Sequence, residues 1–312
     1  MTTVILRKGI TQARLDAALA AKKTLTDYAN VVVVDSGGNG DFTSLALALA
    51  SISDASATNR YAILLFGRHV ITNFTWSQSY IDVFGFGAII GAATAQTITF
   101  TNTGLITLNN IVFESNVTLS VSTNGVVTVR NCALSGSLSA AGAGASVNVF
   151  GCTLARAIVS NATAVVQIFD STLAIASANT VAGTLRLIGC LVTMSSSGYI
   201  NANASTSVVE LYNTKVNASA STGHGINMVA NATLITRGGL IDAKNGSGSA
   251  ALNITTPVTV SCIGTYFKGD TGLAVQADAA FSNAPFFHCV FEGGVTNVTC
   301  LAGTANGSSL SF

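Results

Sequence analysis

Charge is scarce in this sequence: 14 basic and 13 acidic side chains in 312 residues, 9% of the chain where a quarter is usual. A formal net charge of +1 excludes electrostatic capture by nucleic acid or by an anionic membrane surface. Long apolar runs are missing too. Mean hydropathy is +0.55, yet no window of 18 residues is free of Ser, Thr, Asn or charge, so no membrane-inserting helix is expected. Residues 1–23 place Arg7, Lys8, Arg14 and Asp16 inside any candidate apolar stretch and offer no small-residue cleavage site, so they do not read as a secretory signal. With no Cys-x-x-Cys pair and no histidine cluster, neither a metal nor a cofactor is expected. Disorder is excluded as well, because 49% of the residues are apolar.

What is abundant is Ser, Thr, Asn and Gly, arranged in a repeat. The motif is apolar, x, apolar, x, turn residue, small residue, x, apolar. Its gapless copies are VTVRNCAL from Val127, VNVFGCTL from Val147, VQIFDSTL from Val166, LRLIGCLV from Leu185 and VELYNTKV from Val209. ITLNNIVF from Ile106, LITRGGLI from Leu234 and the stretches ending at Phe267 and Phe291 are weaker copies. The turn column reads Asn110, Asn131, Gly151, Asp170, Gly189, Asn213, Gly238, Gly264 and His288, one every 19 to 26 residues. Asn, Asp and Gly tolerate the left-handed backbone of a sharp bend. Three residues on stands an unbroken apolar row, from Phe113 through Leu134, Leu154, Leu173, Val192, Val216, Ile241 and Phe267 to Phe291. Alternation along a strand sends such a row into a shared core.

These features predict an all-β fold, a single-stranded right-handed parallel β-helix with one bend column per coil. The position after the turn, with Cys132, Cys152, Cys190, Cys289, Ser171, Thr214, Gly239 and Thr265, selects small side chains. Stacked coils lie about 4.8 Å apart, within reach of a Cys132–Cys152 disulfide, but buried free thiols are the expected state. The many Asn-x-Ser/Thr triplets, from Asn73 to Asn306, follow from composition.

At the N-terminal side, VVVVDSGGNGDFTSLALALASI from Val31, RYAILLFGRHVI from Arg60 and YIDVFGFGAII from Tyr80 resemble the opening of pectin-lyase-like β-helix proteins, a family that includes pectin methylesterases and phage tail spikes. The resemblance implies a strand, a Gly-Asp-Phe turn, a short capping helix and the first coils. Thr43 or Ser44 can cap that helix, whose Leu45, Ala48, Leu49 and Ile52 share one face. Upstream, residues 11–23 read as a separate amphipathic helix with Leu15, Ala18 and Leu19 on one side. The expected division is therefore residues 1–30 as a helical arm and 31–312 as the β-helix. The arm resembles the anchors by which phage spikes dock on other virion proteins; a helix folded back on its own domain is the competing reading.

The catalytic sets of pectin methylesterases and pectate lyases cannot be carried over onto this sequence. One acid pair remains, Asp242 and Glu292, two rungs apart with Lys268 between them. An exposed ion ladder is the favoured reading of that trio. A second feature is the position before the turn, which should face solvent yet reads Phe150, Phe169, Ile188, Tyr212, Ile263 and Phe287, interrupted by Arg237. Beside it run Asn148, Gln167, Arg186 and Glu210. Exposed contiguous apolar surface marks an interface. Packing into a homotrimer is the favoured use, a surface-polysaccharide groove the second, and cover by a C-terminal loop a third.

The expectation that results is a non-enzymatic phage virion structural protein, a tail spike, fibre or capsid-surface decoration that adheres to host-surface glycan. A polysaccharide depolymerase is the alternative and a bacterial surface adhesin the third.

Overall fold

The computed structural model describes residues 28–221, 224–229, 231–243, 250–254, 258–277, 286–295 and 302–305. The predicted helical arm lies almost entirely outside these residues. Its last residue does not belong to an arm: Asn30 opens the first strand, Asn30–Asp35, which pairs with Tyr61–Val70.

The chain is an all-β parallel solenoid of about ten turns. A middle coil shows the plan. Strands Val165–Phe169, Thr172–Ile175 and Ala178–Val181 stack in parallel on Thr184–Ile188, Leu191–Ser196 and Tyr199–Ala202 of the next coil. We call these the first, second and third faces. The middle coils repeat the alternation that sends one side-chain row inward, as in Ser146–Phe150, where Val147 and Val149 are buried and their neighbours are not.

All nine residues of the predicted turn column have a left-handed backbone, with φ between 46° and 67°. All nine members of the apolar row beyond it are buried, from Phe113 to Phe291. The column has an internal logic invisible in composition. The Oδ1 of Asn131, Asp170 and Asn213 lies 3.0, 2.4 and 2.6 Å from where a Cβ would stand on Gly151, Gly189 and Gly238 of the following coil. At these three bends the Asx side chain leaves room only for a glycine above it, whereas Asn131 stands above Asn110 and Gly264 above Gly238.

Behind each bend the parallel ladder misses one rung. The turn residue donates its N–H to the next coil, Gly151 to Phe169 O at 3.2 Å for example, and two residues later Thr153 donates to Cys132 O at 3.0 Å. The amide between them is taken up by a side chain of the coil above: Ile111 N–H by Cys132 Sγ, Cys132 N–H by Cys152 Sγ, Cys152 N–H by Ser171 Oγ and Cys190 N–H by Thr214 Oγ1, at 3.0 to 3.4 Å. The same thiols and hydroxyls donate to carbonyls at the bend, Ser171 to Phe169 O at 2.7 Å and Cys190 to Ile168 O at 3.3 Å. At Cys132, Cys152, Ser171 and Thr214 the column thus holds small side chains that also carry a hydrogen-bonding atom, which size alone does not convey; Gly239 is the member without one. Cys132, Cys152, Cys190, Cys262 and Cys289 are free and buried. The hydrogen bond to Cys152, and then burial, hold the Cys132 thiol far above the ordinary range, and burial raises that of Cys190.

Helix α1, Leu45–Ser51, closes the base. Ser44 is its N-cap, accepting from Leu47 N–H at 3.3 Å, and Leu45, Ala48, Leu49 and Ile52 join the core. Gln78 Nε2 holds the far end of the helix through Leu49 O at 2.8 Å. His69 begins the inward row at this end, in register with Ile90 and, above it, Phe113. Burial lowers its pKa, against the opposing pull of the Phe66 carbonyl and Asp35.

The corner makes a prediction. Cys152→Ala leaves the Cys132 N–H buried without an acceptor and should cost about 1–3 kcal/mol in equilibrium denaturation, whereas Cys152→Ser, which keeps an acceptor and donor in place, should stay close to the native chain.

Candidate functional site

The predicted outward stripe is one register-locked row on the first face. Arg130, Phe150, Phe169, Ile188, Tyr212, Arg237, Ile263 and Phe287 are consecutive partners in the parallel ladder. Phe150, Phe169, Ile188 and Tyr212 are half-buried, while Ile263 and Phe287 are 38% and 39% exposed. Stacking of coils dictates how the rings stand. Phe150 and Phe169 are parallel, 4.8 Å between centroids and 7° between planes, and the Arg130 guanidinium covers Phe150 at 4.1 Å. Both faces of the Phe150 ring are thereby occupied within the chain, and its rim is what remains for a partner.

The same row runs on to the base, through Asn109 and Phe84 to Leu64 and Val33. There it belongs to a second apolar cluster outside the core, in which Ala62, Leu64 and Phe66 are buried and Tyr28, Val31, Val33, Phe84 and Phe86 pack against them. Asp82, 1% exposed, accepts from Tyr28 OH and Arg60 Nη2, both at 2.5 Å. The sequence reading passed over this cluster, although YAILLF at 61–66 carries its signal: an apolar run without alternation means a strand covered on both sides.

The polar companions also form a ladder, Asn148, Gln167, Arg186 and Glu210 in register. Arg186 donates through Nε to Glu210 and through Nη1 to Gln167 Oε1 at 3.1 Å. The hydrogen bond to Glu210 raises the Arg186 pKa, and Glu210 itself is buried. Much of the donor and acceptor capacity of this row is spent within the row. Arg237 is likewise engaged, with Ser261 O at 2.9 Å and Thr236 O at 2.8 Å.

The acid pair stands on the second face, where Asp242, Lys268 and Glu292 are successive partners. Lys268 Nζ lies 4.0 Å from Asp242 Oδ2 and 3.8 Å from Glu292 Oε2, and Tyr266 OH donates to Glu292 at 2.6 Å, which raises the tyrosine pKa. The lysine between the two acids is the geometry of an ion ladder.

A third ladder was missed entirely. Asn201, Asn227 and Asn253 are register partners on the third face, with Nδ2 to Oδ1 hydrogen bonds of 3.0 and 2.8 Å from each coil to the one before. Their even spacing of 26 residues was the available signal. His69, His224 and His288 lie on separate coils: His69 in the core, His224 accepting from Ala250 N–H, His288 in the turn column. Among the described residues no group of three or more His, Cys, Asp or Glu side chains could hold a metal, and no helix is long and apolar enough to cross a membrane.

No family model matches the sequence, and no curated protein matches it. Three solved structures are similar. ORF18 of Geobacillus virus E2 is 11% identical with a TM-score of 0.50, over 96% of this chain and 64% of that one. The A-module of the Azotobacter vinelandii mannuronan C-5 epimerase AlgE6 is 9% identical (TM-score 0.43, 84% of this chain and 94% of that one). Pectate lyase Pel9A is 13% identical (TM-score 0.41, 89% and 79%). What the virus protein establishes for this chain is the parallel β-helix fold, and the chain spans under two thirds of that protein's length.

Replacing Arg186 by Met leaves the Glu210 carboxylate buried without its partner. The expected cost is about 2 kcal/mol, less than for a fully buried pair because the arginine is partly exposed. Arg186→Met combined with Glu210→Leu should recover most of it, as read in a double-mutant cycle by urea denaturation.

Proposed function

We propose that this chain is a non-enzymatic structural protein of a phage particle, a tail spike, fibre or surface decoration, which assembles as a homotrimer through the first-face stripe. One observation carries the reading: a row of apolar side chains, half-exposed at its C-terminal end, in which the Phe150 ring is covered by Phe169 on one face and Arg130 on the other. A sugar ring needs an open aromatic face and free polar groups around it. Ring rims and aliphatic side chains instead suit protein packing, where a closed assembly buries the same edge of each copy. Adhesion to host-surface glycan then falls to other parts of the surface. Virion localisation and docking on other virion proteins through residues 1–30 belong to the same proposal, with the fold-level likeness to a phage protein as support. A depolymerase is the second reading, with Asp242 and Glu292 as its candidate acids.

Light scattering on the purified chain tests the proposal. A mass three times the 31.6 kDa of one chain is expected. Ile263→Ser with Phe287→Ser should shift that mass toward one chain with the far-ultraviolet circular dichroism unchanged. A native monomer, or a polysaccharide cleavage that Asp242→Asn with Glu292→Gln abolishes, would overturn it.

A further inference from the structure

We infer that the outer apolar cluster at the base of the first face is the seat of the chain's own residues 11–23, which fold back on it as a helix. The inference goes beyond the assembly reading and does not rest on it. A docking role for residues 1–30 would then use the side of the helix turned away from the solenoid.

The cluster is buried more completely than its neighbours on the sheet can bury it. Leu64 points outward from strand Tyr61–Val70, between the inward Ile63 and Leu65, with Val33 and Phe84 beside it in register. Side chains stand roughly perpendicular to a sheet, so neighbours within the sheet cover their flanks and leave their tips to solvent. Phe150 and Phe169, further along the same row, show that outcome and are half-buried. Leu64 is 3% exposed, and Ala62 beside it is buried as well. Of the apolar side chains packed against the cluster, Val31, Val33, Phe84 and Phe86 lie in the sheet itself. Tyr28 alone comes from outside it, edge-on to Phe84 with 5.9 Å between ring centroids.

Tyr28 also shows from which side the chain arrives. Its hydroxyl reaches Asp82 and its ring reaches Phe84, both two rungs above the strand that follows it. The chain therefore enters its first strand across the outside of the first face. Residues 24–27, which join Tyr28 to the predicted helix, span at most about 14 Å. A helix over 11–23 is about 20 Å long. Tethered this closely, its apolar side, Leu15, Ala18 and Leu19, has the cluster around Leu64 within reach.

Charge points to the same occupant. Asp82 takes its hydrogen bonds from Tyr28 and Arg60 on Oδ2, and its Oδ1 is buried without a hydrogen-bond partner, as is Arg60 Nε. Buried polar atoms of this kind call for partners. A purely apolar cover would leave both unpaired. Lys22 stands on the same side of the helix as Leu15, Ala18 and Leu19, at the end nearest Tyr28, and offers a cation to the carboxylate. Thr24, Thr26 and Asp27 of the joining residues carry acceptors for the guanidinium.

Thiol labelling of the full chain tests this. Leu64→Cys is placed in the native background and in one carrying Leu15→Asp with Leu19→Asp, and each chain is treated with a polyethylene glycol maleimide. Leu65→Cys, inward on the same strand, reports whether the strand itself has opened, and the native chain gives the background of its own thiols. The expected result is protection of Leu64→Cys in the native background, labelling several-fold faster in the doubly substituted one, and protection of Leu65→Cys in both. Where the double substitution yields no folded protein, Leu19→Asp alone makes the same comparison. Rapid labelling of Leu64→Cys in the native background, or protection that survives the substitutions, overturns the inference. Co-expression of the doubly substituted Leu64→Cys chain, tagged, with an excess of chain whose residues 11–23 are intact should leave its labelling fast. Restored protection would assign the seat to a second copy and overturn the inference as well. The mass of the same samples by light scattering bears on the assembly reading alone.

Discussion

The structure depends on the amide that follows each bend. A left-handed residue turns the chain sharply between the first and second faces, and the turn displaces one N–H from the interstrand ladder. A buried amide without an acceptor is costly. At Ile111, Cys132, Cys152 and Cys190 the coil above meets it with a thiol or hydroxyl, which also returns a hydrogen to a carbonyl at the bend. Coils are thus tied at the corner by side chains where the backbone cannot tie them. Cysteine, serine and threonine are interchangeable there because each is small and carries one atom able both to accept and to donate. The cysteines at the corner act as structural hydroxyl equivalents, buried as free thiols, with Cys132 and Cys190 pushed up in pKa.

Stacking imposes a second constraint, this time on the outer surface. Any side chain that recurs at one position of the repeat becomes a ladder at the rung spacing of about 4.8 Å. The outer surface is therefore made of rows: the aromatic stripe, the Gln167–Arg186–Glu210 chain, the Asp242–Lys268–Glu292 trio and the Asn201–Asn227–Asn253 amides. Rows satisfy themselves. An arginine finds its acid one rung up, an amide finds another amide, and a ring stacks on a ring. Such rows suit a rigid element that presents a long edge to copies of itself, and that is the role proposed here.

The fold was legible in the sequence because every coil states it again. The bend residues, the apolar row from Phe113 to Phe291 and the Ser44-capped helix each depend on a local requirement repeated or placed at one end. The pairings of Asp242, Lys268 and Glu292, and of Arg186 with Glu210, were legible from register alone. What escaped the sequence lies between coils. The corner hydrogen bonds need the geometry of the missing rung, which letters do not carry, so Cys and Ser were read as merely small. The placing of Gly151, Gly189 and Gly238 above an Asx is a steric relation across coils. The outer cluster around Leu64 was masked because its run of apolar residues serves two sides at once. The ring orientation of Phe150 and Phe169, on which the proposed choice of a protein over a sugar leans, is revealed only by stacked coils.

Amide hydrogen exchange tests the corner most directly. The N–H groups of Ile111, Cys132, Cys152 and Cys190, whose acceptors are side-chain sulfur or oxygen of the next coil, should exchange as slowly as the ladder amides of Val149 and Ile168 beside them. Exchange of these four at the rate of exposed loop amides, with the neighbouring strands still protected, would mean that the corner side chains fill space without tying the coils, and would contradict the account.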